Sequence, residues 1–288
     1  MSTSKFIPTI WSARILAALE KQLVYTNFFN RDYEGEIRDA GDTVKIGLVG
    51  APTVKKYTKG SEIAAPDDVT VTDATLTIDQ ADYFNIAVDD VDAAQSKINL
   101  LESASSQTGY AFGDVTDQYL AGLLVAGTGG TIGTKTAPKS ITDAKPEDAY
   151  NLLVDLKVAL DRQNCPTAGR ICVVPPEFEG FMLKDSRFVA KSTSESNERL
   201  TDGVVYKSAG FEIYVSNNVP HDDKGGSGST TVYDVIAGCD QSGTYAEQIL
   251  NTEAYRPEKS FKDAVKGLHV YGAKVLRSAC VYNAKVSF

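Results

Sequence analysis

The chain is poor in the residues that most often do chemistry. Only His221 and His269 occur among its 288 residues. A metal centre built on several imidazoles is therefore excluded, and a serine or cysteine nucleophile has just these two histidines as possible bases. His269 lies in the strand pattern Leu268-His269-Val270-Tyr271, and His221 follows Pro220 in a polar loop. Neither has a nucleophile motif beside it, and the GxSxG elbow of hydrolases is missing. The four cysteines, Cys165, Cys172, Cys239 and Cys280, show no CxxC spacing. They are too few for a disulfide framework in a chain this long and read as buried free thiols. Long apolar runs are lacking too: stretches such as Tyr119 to Ala126 fall far short of the roughly 20 residues that span a bilayer. The start, Met1-Ser2-Thr3-Ser4-Lys5-Phe6, has no apolar segment after its early lysine and does not read as a secretory signal, so a soluble chain made in a cytoplasm is expected. Basic excess is also absent. Lysine and arginine number 29 against 38 acidic residues, a net charge of -9, which argues against a clustered cationic surface for gripping nucleic acid.

Motifs that superficially promise a site fail on spacing. Gly127-Thr128-Gly129-Gly130-Thr131-Ile132-Gly133-Thr134-Lys135-Thr136 is glycine-rich, but a phosphate loop needs lysine directly after its last glycine, and a dinucleotide fingerprint needs a preceding strand. A helix precedes this stretch, so it reads as a flexible connection. Asp89, Asp90 and Asp92 resemble the start of a calcium loop, yet Ala94, Gln95 and Leu101 stand where its remaining residues belong. Helix capping accounts for them, and Asp67-Asp68 reads as a solvated turn. No catalytic residue, cofactor or metal site is expected.

With 42% hydrophobic residues the chain is long enough to bury a substantial core, as one elaborate domain or two modest ones. Trp11, Ile15, Leu19 and Leu23 recur at helical spacing over residues 9 to 26, predicting a short amphipathic helix. The charged, glycine-containing stretch from Asn30 to Asp42 reads as an extended arm. Val44, Ile46 and Leu48 alternate, as do Leu76, Ile78, Phe84, Ile86 and Val88, which is strand periodicity. Between these runs lie roughly two dozen polar residues with Pro52, Pro66, Lys55, Lys56 and Lys59, long enough to need a purpose. A two-stranded arm that projects and is supported by another subunit fits both facts. Asp89 and Asp90 open a helical pattern running to about Val125, on the order of 50 Å long, with Gly109 and Gly113 as points for a bend. A helix from Pro146 to about Gln163, a buried strand from Arg170 to Val174 that stops at Pro175-Pro176, short strands at 212 to 216 and 231 to 237, and a strand-rich end from Gly267 complete a mixed α+β pattern without internal repeats.

Particular strings go further than periodicity. Ile10-Trp11-Ser12-Ala13-Arg14 through Leu19, Asn30-Arg31-Asp32-Tyr33-Glu34-Gly35-Glu36-Ile37, Ala40-Gly41-Asp42-Thr43-Val44, Leu76-Thr77-Ile78-Asp79-Gln80, Tyr83-Phe84-Asn85 with Val88-Asp89-Asp90-Val91-Asp92, and Gly267-Leu268-His269-Val270-Tyr271-Gly272-Ala273-Lys274-Val275 together resemble the major capsid proteins of tailed bacteriophages, which have the Hong Kong ninety-seven fold.

That resemblance implies an N-terminal arm at about 1 to 40, an extended β-hairpin loop at 41 to 89, a peripheral domain with a long spine helix at 90 to 170, an axial domain at 171 to 249, and return strands to the peripheral domain at 250 to 288. It implies a homo-oligomer of hexamers and pentamers in an icosahedral shell around double-stranded DNA, bound without sequence specificity. Portal and scaffolding or decoration proteins would be its partners, and no membrane would be involved. Trp11, Arg31, Tyr33, Lys55, Lys56 and Lys59 are the expected inter-subunit contacts. Some members of the fold cross-link a loop lysine to a neighbour's asparagine, for which Lys55, Lys56 or Lys59 with Asn283 are the candidates; that chemistry also needs a glutamate in a dry pocket. Two alternatives stay open: a nanocompartment shell of the same fold, as in encapsulins, and another phage structural component.

Overall fold

The computed structural model describes residues 23–33, 43–49, 53–60, 62, 65, 68, 71–89, 100–185, 207–222, 231–258 and 262–288. In chain order, a 3-10 turn at Tyr25–Phe28 leads into β1 (Phe29–Asn30), followed by β2 (Thr43–Val49), β3 (Val71–Thr77), β4 (Gln80–Asp89) and the long helix α1 (Leu100–Ala126). Next come β5 (Gly130–Ile132), β6 (Lys139–Ser140), α2 (Glu147–Arg162), β7 (Arg170–Val174) and α3 (Pro176–Lys184). The remaining strands are β8 (Lys207–Ser208), β9 (Phe211–Val215), β10 (His221–Asp222), β11 (Val232–Cys239), β12 (Gly243–Tyr255), β13 (Lys262–Val275) and β14 (Val281–Ser287).

The largest sheet runs β5-β14-β11-β7-β9-β8, with β10 beside β11 and β6 beside β14. Every residue of β7 is buried, because the sheet is covered on both faces. Cys172 and Val174 point into one core with Leu152, Leu156, Leu160 of α2 and Phe178 of α3, while Ile171 and Val173 point into another with Leu120 and Leu124 of α1. A strand that alternates between two cores reads as a continuous apolar run, as Arg170 to Val174 does. Helix α2 follows from its sequence: the apolar positions repeat at three or four, Glu147 and Asp148 sit in the first turn and Arg162 in the last, matching the helix dipole.

The second sheet, β1-β12-β13-β4, carries the longest strands. β2 and β3 pair antiparallel from Thr43↔Thr77 to Val49↔Val71 as a separate two-stranded arm. The base of the arm is rooted in the chain's own body, where Val44, Ile46, Leu76 and Ile78 pack with Ala246 and Val270. Gly272 permits this crossing, since a Cβ there would stand 2.3 Å from the Thr77 carbonyl oxygen.

Several expectations need adjustment. The predicted helix of residues 9 to 26 lies outside the described residues up to 22, and beyond it Tyr25–Phe28 is a 3-10 turn. The alternating run from Leu76 to Val88 is two strands, parted at Ile78 and Asp79 where the chain passes from the arm to the second sheet. Asp89 ends β4 and does not open the helix; residues 90 to 99 lie outside the described ones. Helix α1 passes through Gly109 and Gly113 without a break. The linear blocks do not follow the pairing either: β13 joins the second sheet with β4 and β12, whereas β14 lies inside the large sheet between β5 and β11. Helix α2, placed by sequence with the spine, covers the large sheet.

Candidate assembly surfaces

The segment preceding the arm is fastened to the body at three levels. Asp117 of α1 accepts hydrogen bonds from the Val24 amide at 3.1 Å and the Tyr25 amide at 3.2 Å. Tyr25, Phe28 and Phe29 are buried beside Leu120 and Tyr245, and β1 runs parallel to β12 at Gly243 and Thr244. Burial pushes the Asp117 carboxyl up to about 6, against the pull of the two backbone amides.

Arg31, next along the chain, is engaged within its own subunit. Its Nη2 stands 3.1 Å from Glu247 Oε1, an ion contact off the hydrogen-bond direction, and its guanidinium lies 5.5 Å from the centre of the Tyr245 ring. Glu247 is 5% exposed, and its other oxygen accepts from the Tyr245 hydroxyl at 2.7 Å and lies 3.2 Å from His269 Nε2. Burial alone would raise the Glu247 carboxyl, but the hydrogen bonds from His269 and Tyr245 and the charge of Arg31 outweigh it and hold the group below its ordinary range. His269 is wholly buried between Phe112 and Tyr271. This histidine therefore helps to bind the second sheet to α1. His221 lies in β10 at the surface, its Nδ1 3.3 Å from the Val219 carbonyl.

Tyr33 packs partly against the core at the arm's root. Lys55, Lys56 and Lys59 are exposed on the segment joining β2 to β3, as are their neighbours over residues 53 to 60. Trp11 lies outside the described residues. Asn283 is not at a surface: it is 2% exposed in β14, and its amide donates to Asp234 at 3.0 Å, beside Lys285. Another subunit's lysine cannot reach it there.

Exposed apolar groups single out the same regions, a signal the charge pattern of the sequence did not carry. Among the described residues, the exposed large apolar side chains are Val54, Tyr57 and Val71 on the arm, Tyr83 and Tyr255 on the second sheet, Tyr110 and Val115 on α1, and Val158 on α2. Five of the eight lie on the arm or the second sheet, and the other three lie on the outward sides of helices that cover the large sheet.

The family model described as phage capsid protein matches residues 40–284. The chain belongs to that family. As a phage capsid protein it is a structural component of the virion. No curated protein matches the sequence. Among solved structures, a chain of Mycobacterium phage Che8 is 28% identical, with 91% of this chain and 90% of that one covered and a TM-score of 0.71. The capsid structure of cyanophage P-SCSP1u gives 17% identity, 86% and 84% coverage, and a TM-score of 0.67. A virus-like particle from Pyrococcus furiosus shares the fold at 12% identity and a TM-score of 0.56, with 96% and 98% covered. The α+β architecture expected from the resemblance is thus the capsid fold. Among the described residues of the capsid protein, no helix is long and apolar enough to cross a membrane.

Proposed function

We propose that the capsid protein assembles through its arm, with its own copies, into hexamers and pentamers of a closed icosahedral shell that encloses double-stranded phage DNA. The observation that carries this is the contrast between a large sheet whose central strand β7 is wholly buried within one chain and an arm whose tip exposes Val54, at 94% of its surface, and Tyr57, at 67%. A hairpin this open is marginal alone and gains its support from another subunit. The second sheet with α1 acts as the peripheral domain and the large sheet as the axial domain, with Trp11, Tyr33, Lys55, Lys56 and Lys59 in inter-subunit contacts. Assembly takes place in the host cytoplasm, with a portal and scaffolding or decoration proteins as further partners.

The net charge of -9 sets the relation to DNA. A coat of this sign does not draw in a polyanion, so the genome is forced in by a packaging motor. Negative-stain microscopy of the overexpressed chain tests the proposal: closed shells are expected, and tubes or discrete trimers overturn it. The likeness to the Pyrococcus particle favours one second reading, a shell around protein cargo. Nucleic acid in shells purified from infected cells selects the first, and a protein cargo the second.

A further inference from the structure

Three of the four thiols converge at one end of the large sheet. Cys165 lies in the turn between α2 and β7, Cys239 ends β11, and Cys280 closes the 3-10 turn that leads into β14. Their Sγ atoms all lie within 4.8 Å of one another, and all three side chains are buried. In the β11–β14 register Gly238 faces Val281, so Cys239 and Cys280 are neighbours one step past the ladder. Gly238 allows this approach, because a Cβ there would stand 2.7 Å from the Cys280 carbonyl oxygen.

The cluster is held from several sides. The Ser242 hydroxyl donates to the Cys239 carbonyl at 2.6 Å, lies 3.2 Å from the Cys280 carbonyl, and stands 3.9 Å from Cys239 Sγ. The Cys165 carbonyl accepts from Arg170 Nη2 at 2.8 Å. Arg170 faces Cys239 across the β7–β11 ladder, is 3% exposed, and keeps its Nη1 without a hydrogen-bond partner. The charge of Arg170 is already balanced by Asp161 at 2.7 Å, so what it leaves over is the Nη1 donor.

We infer that Cys165, Cys239 and Cys280 form a binding site for a thiophilic metal ion, zinc(II) being the ion whose geometry they fit. Zinc–sulfur bonds of about 2.3 Å place the sulfurs roughly 3.8–4.0 Å apart, so the cluster closes by about 1 Å or less. On binding, each Sγ–H releases its proton to solvent and each sulfur donates a lone pair to the metal, with no change of oxidation state. Zinc(II) with three thiolates carries a single net negative charge. Ser242 Oγ offers an oxygen for the fourth position. Each thiol gives up a proton when it binds the metal, so occupancy rises with pH. The filled site would staple the turn after α2 to the end of β11 and the start of β14.

The test uses the reduced full-length chain. Cobalt(II) should raise a thiolate charge-transfer band that saturates at one equivalent per chain and is bleached by zinc(II). Cys165→Ser, Cys239→Ser and Cys280→Ser should each weaken binding at least tenfold, while Cys172→Ser leaves it within twofold, circular dichroism confirming that each variant is folded. Zinc-edge X-ray absorption of the unmutated protein needs no variant and should show three sulfurs at about 2.3 Å. Absence of the cobalt band, or a zinc shell of nitrogen and oxygen alone, overturns the inference. Neither readout depends on shell formation.

Discussion

The large sheet and the β2–β3 arm solve opposite problems with the same backbone pattern. In the sheet, alternate residues of β7 enter two cores, one under α2 and α3 and one under α1, and nothing on that strand is left for a partner. In the arm, only the root is buried, through Val44, Ile46, Leu76 and Ile78, and the described residues from 53 to 60 are all exposed. Folding of the sheet is completed inside one chain, whereas on the proposed reading the arm's surface is completed by another. Mutations should therefore separate: those in the sheet act on stability, and those in the arm act on assembly.

The largest effect on folding is expected in the sheet's core. Phe178 is fully buried between α3 and the sheet, and Phe178→Ala should cost about 3–5 kcal/mol, read as a drop in the urea midpoint of unassembled subunits. Next comes Glu247→Ala, which takes from His269 and Tyr245 the oxygen they share and from Arg31 its ion contact with Glu247. Breaking a buried pair costs about 3–5 kcal/mol, but Arg31 is partly solvated, so the lower end is expected. Asp117→Ala should cost less, about 1–2 kcal/mol, because removing a buried charge offsets part of the cost of unpairing two amides. Hydrogen exchange at Val24 and Tyr25 should accelerate in that variant while α2 stays protected.

These two acids also give the body opposing pH dependences. The Glu247 carboxyl is held low, so its contribution is present above the ordinary carboxylate range and is lost as pH falls through its folded value. Asp117, at about 6 against an ordinary 3.8, works in reverse: between these values the folded chain holds a proton that the unfolded chain lacks. Stability from Asp117 therefore rises as pH falls, by about 3 kcal/mol at most. Asp117→Asn should remove that rise and Glu247→Gln the later acid loss, both visible in urea midpoints from pH 7 to 3.

How much of this was legible in the sequence follows from the range of the interactions. Helix α2 and strand β7 were readable because each has one dominant local pattern. Helix α3 was missed, since Pro175-Pro176 reads as a stop although proline at the first helical position also starts a helix. The places of β13 and β14 in different sheets, and the meeting of Arg31 with Glu247 and His269, depend on register between distant strands, which composition does not encode. The cysteines were readable as buried free thiols, but their convergence was not: Cys165, Cys239 and Cys280 come from three separate elements. The exposure of Lys55, Lys56 and Lys59 was foreseeable from local polarity, whereas the burial of Asn283 was not.

The smallest effect on folding, and the sharpest on assembly, is expected at the arm's tip. Tyr57→Ala combined with Lys55→Glu, Lys56→Glu and Lys59→Glu changes only side chains that are exposed in the single chain. Exposed substitutions of this kind stay within about 0.5 kcal/mol each, so urea midpoints of the unassembled variant should match the unmutated chain. If a neighbour covers the tip, the reversed charges and lost ring remove that contact many times over in a shell, and small changes per contact multiply. Sedimentation of the variant should then show subunits or capsomers in place of shells. Normal shells from this variant would mean that the arm's tip does not hold the neighbour and that contacts through Tyr83, Tyr110 and Val115 suffice.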